Sequence, residues 1–328
     1  MWYNEEKCRI GESDMSQKKV NVANFNVVFL EEKDEAPLLK YFDSIVVPAF
    51  QSGIKKDNKD AELFFMNVEV VEDSEGEYVL VGYVVKKTVL EVKSDVDEKG
   101  NLIEKDEKYP SAPYSTFAIY LKNHRMVYVL NQKGSPNIKS FSGLTKHVFA
   151  EYIRNYNHDV GDKSKYLPYP SINIVGLPMR SSIEDALKQV SKVTKLTLRF
   201  YPLNGDQEFG EMFGDLIKDL RSAANAKNGE LMLRSPKSIS GIINIVEQSA
   251  GTVKPIIDVE YADKTKGTIK EDQISEKMDI EFPGENVVEM DQVISKGKEI
   301  QSISYTSRGN QEIYNEHKSK IIKFLPKK

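Results

Sequence analysis

Residues 61–92 read AELFFMNVEVVEDSEGEYVLVGYVVKKTVLEV, and this stretch decides the class of fold. Valine, leucine, phenylalanine and tyrosine dominate its two ends, whereas residues 72–76 (EDSEG) are polar and end in glycine. Two runs of β-branched and aromatic residues around a short polar segment are typical of an antiparallel hairpin. Residues 115–121 and 125–130 repeat the pattern around residues 122–124 (KNH). The first half of the chain is therefore predicted to form antiparallel sheet.

Helical patterns alternate with these strands. Apolar residues recur every three or four positions over residues 35–47, 141–157, 207–226 and 311–324, which predicts amphipathic helices. Further strands are predicted over residues 20–30, 171–175 and 195–201, and a charged loop over residues 93–110. Residues 256–262 and 273–282 are expected to pair with each other. This mixture predicts an α+β protein with mixed or antiparallel sheets and packed helices.

A polar segment divides the chain near its middle. Residues 158–170 (HDVGDKSKYLPYP) combine glycine, proline and charge, as linkers do. We predict two domains, an N-terminal α+β domain over residues 20–165 and a C-terminal α+β domain over residues 170–328. A disordered tail is predicted over residues 1–19. The length of 328 residues fits two domains of ordinary size.

Composition excludes several classes of protein. One cysteine and four histidines exclude a disulfide framework and a metal site built from Cys or several His, so no metal is expected. The glycine motifs that hold nucleotides are absent, and no cofactor is expected. No apolar run approaches the roughly 20 residues that span a bilayer, and the N-terminal sequence lacks the features of a signal peptide. We expect a cytoplasmic protein that does not insert into a membrane.

Charge is distributed unevenly along the chain. Residues 1–114 carry 15 Lys and Arg against 24 Asp and Glu, a net charge of -9. Residues 115–170 carry 8 against 3, a net of +5, and residues 171–328 carry 23 of each. The basic middle segment also holds three of the four histidines and many aromatic residues. Cations interleaved with aromatic residues are typical of surfaces that bind nucleic acid.

The candidate phosphate contacts are the cations of this middle segment, which lie on a predicted hairpin turn, a predicted helix and the predicted linker. They are Lys122, Arg125, Lys146, Arg154, Lys163 and Lys165, with His147 as a polar contact. Cations that meet phosphates release counterions, so affinity falls with salt. An ordinary solvated face is the alternative explanation. From these residues we expect a protein without catalytic residues that binds double-stranded DNA.

Two other functions remain open. Residues 91–93 (EVK) match the Glu-x-Lys half of a metal-dependent nuclease core, in which Glu91 would hold Mg²⁺ and Lys93 would orient the attacking water. Asp73 or Glu77 would then supply the second carboxylate. Alternatively, the acidic first domain is a protein–protein interaction module that recruits a partner.

The order of elements resembles the RexA-like proteins of lambda-type superinfection exclusion and, more loosely, other anti-phage DNA-sensing proteins. The resemblance rests on residues 112–120 (APYSTFAIY) with the turn and helix that follow, and on residues 195–200 (KLTLRF) followed by a strand pair and a closing helix. It implies a two-domain α+β fold, a homodimer, and DNA binding that is largely independent of sequence and coupled to phage defence. A partner effector protein, for which a membrane protein is one candidate, is also expected.

Overall fold

The computed structural model describes residues 15–326, apart from residues 33, 206–219, 222, 225 and 284–287. The described residues form helices and two antiparallel sheets, which confirms the α+β class. The helix predicted over residues 207–226 lies almost entirely outside the described residues, as do residues 1–14 of the predicted tail.

The first sheet has ten strands. They are β1 (Met15–Leu30), β2 (Glu35–Pro37), β3 (Lys56–Asn58), β4 (Ala61–Glu72), β5 (Tyr78–Val96), β6 (Leu102–Ser111), β7 (Tyr114–Tyr120), β8 (Arg125–Leu130), β9 (Pro170–Gly176) and β14 (Lys277–Pro283). The second sheet has the order β11-β10-β12-β13. Its strands are β10 (Val190–Phe200), β11 (Gly229–Arg234), β12 (Lys254–Tyr261) and β13 (Lys266–Lys270).

Eight α-helices connect or cover these strands in the described part of the chain. They are α1 (Val47–Gln51), α2 (Ile138–Val160), α3 (Arg180–Leu187), α4 (Ile239–Gln248), α5 (Glu271–Ile274), α6 (Met290–Lys298), α7 (Gln301–Ser304) and α8 (Arg308–Ile322). The hairpins predicted from residues 61–92 and 115–130, the long helix α2 and the closing helix α8 agree with the sequence pattern.

Strand β1 pairs with strands from both halves of the chain. One edge of β1 pairs first with β14 and then with β9, and the other edge pairs with β8 and then β2, all antiparallel. Met15 lies opposite Pro283, so residues 15–19 belong to this strand. The first sheet therefore contains strands from both sides of the predicted linker, and the division into two domains stays a prediction.

The first sheet is covered on both faces. Phe25 and Phe29 of β1 face a core that also contains buried residues of α1, α2 and α8. Val20 and Val22 face the opposite side, where Phe282 and residues of α6 cover them. The second sheet has its own core with α3 and α4. Both faces of β1 are covered, so residues 22–29 are all buried, including the polar Asn24 and Asn26.

The prediction of a regular helix over residues 35–47 is wrong. A 3₁₀ turn (Leu38–Tyr41) and a π-helical segment (Phe42–Val46) lead into α1 instead. Pro48 lies in the first turn of α1, and because proline has no N–H to donate, the hydrogen-bond ladder is interrupted just before it. The apolar residues of this segment are nevertheless buried in the core, as their spacing predicts.

The charged loop predicted over residues 93–110 is also wrong, because β5 and β6 continue through it as a two-stranded β-ribbon (residues 89–96 and 102–110). Opposite charges face each other across it. Glu91 forms an ion pair with Lys108 at 3.1 Å, and Lys93 forms one with Asp106 at 2.8 Å. Asp97 closes the turn by accepting from the backbone N–H of Asn101 at 2.8 Å. Cross-strand ion pairs, which composition does not reveal, stabilise the ribbon.

The pairing of residues 256–262 with residues 273–282 is wrong as well. Strand β12 pairs with β13, whereas β14 crosses to the first sheet and pairs with β1. The five residues of β13 (KGTIK) are too polar and too short to stand out as a strand.

Gly297 of α6 is required by close packing. A Cβ atom at this position would collide with the hydroxyl of Tyr120 and lie 2.9 Å from Cγ2 of Val127. The Tyr120 hydroxyl is held there because it donates to the Ile294 carbonyl at 2.8 Å. Glycine to alanine in a helix normally stabilises by up to about 1 kcal/mol. For Gly297→Ala we expect instead a loss of about 1–3 kcal/mol, as overpacking costs.

Urea unfolding of the full chain measures this loss. The matched control is Gly143→Ala in α2, whose new Cβ would meet only the flexible end of Lys56 at 3.1 Å. Equal stabilisation by the two substitutions would contradict the close approach of α6 to the sheet.

Candidate nucleic-acid interface

Helix α2 presents most of the predicted cations. Asn137 caps it by accepting from the Ser140 backbone N–H at 2.9 Å, and Gly161, at φ 65°, ends it. Phe141, Leu144, Val148, Phe149 and Ile153 are buried against the first sheet, which turns the polar face of α2 outward. A rigid helix therefore fixes the positions of the side chains described next.

A lysine cluster forms where α2 approaches the second sheet. Its members are Lys56, Lys139, Lys146 and Lys254, with Glu271 and Asp272 as the nearest acidic partners. Lys139 and Lys146 are seven residues apart and share one face of the helix. Lys139 contacts Asp272 at 2.8 Å, and Lys254 contacts Glu271 at 3.0 Å.

Lys146 is exposed as a residue, but protein atoms partly surround its ammonium, which makes no ion pair with a described carboxylate. Neighbouring protein atoms desolvate this ammonium and lower its pKa below the ordinary lysine value, and the charge of Lys254 lowers it further. Lys56 lies one turn away, where its ammonium donates to the Gly143 carbonyl at 3.2 Å. An anion placed here would relieve the repulsion among these cations.

A surface depression continues this basic region at the start of α2. Lys59, Lys86, Asn137 and Ser140 line it, together with Asp60. Neither Lys59 nor Lys86 makes an ion pair with a described residue. The N-terminal end of a long helix carries partial positive charge, so the depression adds to the positive field of the lysine cluster.

His147 and Arg154 lie on an adjacent stripe of α2. They are seven residues apart, so they share one face, turned by about 100° from Lys146. A ring nitrogen of His147 lies 3.1 Å from the Lys55 carbonyl. The Arg154 guanidinium pairs with Glu151 one turn earlier. Both side chains are therefore engaged within the chain, although Arg154 remains largely exposed.

The loop after α2 carries Lys163 and Lys165, and three exposed tyrosines lie in this loop and in the last turns of α2. Lys165 lies 3.5 Å from Asp162, and Lys163 makes no ion pair with a described residue. The exposed tyrosines are Tyr156, Tyr166 and Tyr169. Exposed aromatic rings beside cations offer surfaces on which unpaired bases stack. Asp162 offsets one of the two lysine charges in the loop, whereas two acids offset two of the four lysine charges in the cluster, so the lysine cluster carries the larger net positive charge.

The two cations of the hairpin turn do not join this surface. Arg125 is 4 % exposed, and its guanidinium donates to the Ala250 carbonyl at 2.8 Å. Lys122 pairs with Glu77, which lies just before β5. The sequence pattern predicts that Lys122 and Arg125 lie on a solvent-exposed turn. Loops from the second half of the chain cover this turn. A phosphate at the surface does not reach Arg125, which we leave out of the interface.

The nuclease constellation is not assembled. Glu91 pairs with Lys93 at 3.4 Å and with Lys108, and these lysines hold the pKa of its carboxyl below the ordinary value. Asp73 and Glu77, the two expected partner acids, precede β5, whereas Glu91 lies well along it. At about 3.3 Å per residue, the 14 residues from Glu77 to Glu91 correspond to on the order of 45 Å measured along the chain. Within the described residues, no group of three or more metal-ligating side chains occurs.

Two members of the lysine cluster were missed by the sequence. Lys254 and Lys56 lie far from α2 along the chain, in segments without a net positive charge. Only the packing of β12 and β3 beside α2 brings them to Lys146. The signal that was available, the basic character of residues 115–170, identified the helix but not its neighbours.

Among the described residues, no helix is long and apolar enough to cross a membrane. No protein-family model matches the chain, and no curated protein matches it.

Proposed function

We propose that this protein is a non-enzymatic DNA-binding protein that contacts the phosphate backbone through the lysine cluster on α2. The observation that carries the proposal is Lys146, an exposed cation next to Lys254 that no described carboxylate neutralises. Cations held close together without an equal number of acids form a site for a polyanion. Backbone contacts carry no base information, so binding is largely independent of sequence.

The position of the cluster fits a duplex better than a small anion. Lys139 to Lys146 spans about 10 Å along the helix, and the depression at Asn137 extends the basic strip further. Successive phosphates of one strand advance about 3.4 Å along the duplex axis, so a strip of this length meets two or three of them. The acids of the β-ribbon would repel DNA, so we expect the duplex to lie along α2 and not along the ribbon.

Replacing Lys146 by alanine is expected to weaken binding to nonspecific duplex about three- to tenfold at moderate salt. Loss of one phosphate contact is also expected to reduce the slope of log affinity against log salt by about 1. Fluorescence anisotropy with a labelled duplex at several salt concentrations measures both quantities.

The matched control is Lys188→Ala, because Lys188 is an exposed lysine at the end of α3 and makes no ion pair with a described residue. Its removal should leave affinity and slope unchanged. Equal effects of the two substitutions, or wild-type binding that does not depend on salt, would remove the proposal.

A role in phage exclusion, together with an effector partner, rests on the resemblance to RexA-like proteins. Cells that express the chain are expected to restrict phage growth, and cells that express Lys146→Ala are expected to restrict it less. Equal restriction by the two chains at equal protein levels would separate defence from DNA binding.

A further inference from the structure

Strand β6 is an exposed edge of the β-ribbon. Among the described residues it pairs only with β5, and its second row of backbone N–H and C=O groups faces solvent. The register against β5 shifts by one residue between Glu104 and Glu107. Its apolar side chains are exposed as well: Leu102 is 77 %, Tyr109 is 50 % and Ile103 is 39 % exposed. An isolated two-stranded ribbon is marginally stable in water, and this one gains no cover from the rest of the described chain.

The sequence of β6 is complementary to itself when it is reversed. Residues 102–110 read LIEKDEKYP, with Asp106 at the centre. Pairing this segment antiparallel with a second copy about that centre places Lys105 opposite Glu107 and Glu104 opposite Lys108. It also places Ile103 opposite Tyr109 and Leu102 opposite Pro110. Every cross-strand pair except the central one is therefore either of opposite charge or apolar.

We propose that β6 is an interface with a second copy of this chain, in which the two β6 strands pair antiparallel about a two-fold axis at Asp106. A single four-stranded ribbon, β5-β6-β6-β5, results. The two-fold axis repeats every contact that does not lie on it. The interface therefore contains four ion pairs and two Ile103–Tyr109 contacts. The nine residues span just under about 30 Å, and all of them can pair only if the register shift near Asp106 straightens in the dimer.

The one like-charge contact is compensated within each copy. Asp106 already accepts an ion pair from Lys93 of its own chain at 2.8 Å, so two neutralised carboxylates meet at the axis. The other lysines sit between two acids. Lys108 contacts Glu91 of its own chain at 3.1 Å and would also face Glu104 of the second copy.

Lysine on an edge strand ordinarily prevents edge-to-edge pairing, because its charge must be desolvated or repelled. Here each lysine meets a glutamate, so the same charges that oppose pairing with an unrelated strand favour pairing with this one. The ribbon is acidic overall, with four lysines and seven acids over residues 89–110, which disfavours DNA as the occupant. Charge complementarity thus selects a second copy.

A charge-exchange experiment on the full chain tests the proposal. Glu104 makes no ion pair with a described residue of its own chain, so Glu104→Lys changes little within a copy but places two lysine–lysine contacts in the pair. Sedimentation velocity should show a dimer for the wild type and a dissociation constant raised on the order of tenfold or more for Glu104→Lys. Glu98→Lys makes the same charge change in the turn, outside the paired segment, and should leave the dimer intact.

A mixture of two charge-exchanged chains is expected to restore the dimer. Lys108→Glu alone places two glutamate–glutamate contacts in the pair and should also dissociate. An equimolar mixture of the Glu104→Lys and Lys108→Glu chains restores opposite charges at both contacts, so it should form a mixed dimer. A wild-type chain that stays monomeric, or a mixture that stays dissociated, would overturn the proposal.

The register has its own test. Asp106→Cys places two thiols directly opposite each other at the axis, where facing Cβ atoms lie about 4.5–5.5 Å apart, within reach of a disulfide. Under mild oxidation this variant should become a covalent dimer much faster than Glu98→Cys or the wild type, whose single cysteine is Cys8. Equal rates for all three chains would count against this pairing. Neither experiment depends on DNA, so failure here leaves the proposed function standing.

Discussion

Replacing Phe141 by alanine is expected to lower the free energy of unfolding by about 3–5 kcal/mol, the usual cost of truncating a buried phenylalanine. Phe141 is fully buried at the first turn of α2. Its ring centroid lies 5.2 Å from that of Phe117, 5.5 Å from Tyr128 and 5.7 Å from Phe65. Alanine would leave a cavity bounded by three strands, which are too well fixed to collapse into it.

Urea unfolding with an unchanged m-value measures this loss. Phe141→Leu keeps most of the volume and should cost less than half as much, whereas Tyr166→Ala removes an exposed ring and should cost almost nothing. A loss below about 1 kcal/mol for Phe141→Ala would show that α2 is not anchored through this ring. Because Phe141 fixes the helix that carries Lys146, the alanine variant should also bind DNA less tightly.

Replacing Asn26 by alanine is expected to cost about 2–4 kcal/mol, because it leaves buried backbone groups without partners. Asn26 is fully buried on β1. Its amide donates to the Pro202 carbonyl at 2.6 Å, and its side-chain oxygen accepts from the Asn204 backbone N–H at 2.8 Å. Asn204 in turn accepts from the Leu38 N–H at 2.7 Å. One side chain thus holds the segment after β10 against the first sheet.

Asn173 provides the matched control for this substitution. It lies directly opposite Asn26 on β9, but it is only half-buried and its amide donates to the Ser171 hydroxyl of its own strand. Thermal unfolding of Asn173→Ala should match the wild type to within about 1 kcal/mol. Comparable losses for the two asparagines would mean that the contact across to Pro202 adds no stability.

The sequence predicts the elements whose evidence is local. Residues 61–92 and 115–130 alternate strongly enough to show both hairpins, and the apolar stripe of α2 from Phe141 to Ile153 shows its buried face. Each of these signals lies within one window of the chain, where period and turn chemistry are visible.

Elements that depend on distant partners are not predicted. Strand β14 is recognisable as a strand, but its partner is the first half of β1. Neither segment contains a pattern that predicts which strand it pairs with. The charged sequence of the β-ribbon predicts a loop, because the ion pairs that stabilise the ribbon join residues on two strands and are not visible in one segment. Arg125 looks like a surface cation until the Ala250 loop is seen to cover it. Burial of a charge is decided by tertiary packing, which local composition does not contain.

The same limit applies to the candidate interface. A net charge of +5 over residues 115–170 is enough to identify α2 as basic. It does not show that Lys254 repels Lys146, nor that Lys122 is neutralised by Glu77. Field strength at a surface depends on which charges remain unpaired, and only the three-dimensional arrangement provides that.

The four neighbours of β1 also constrain how the chain is made. Met15–Leu30 leaves the ribosome about 250 residues before its partner β14 (Lys277–Pro283). At synthesis rates of roughly 5–20 residues per second, β1 waits on the order of 10–50 s with that edge open. During this interval an apolar strand with free backbone groups is exposed to other nascent chains. The late arrival of β14 therefore sets how long this part of β1 stays unpaired during synthesis.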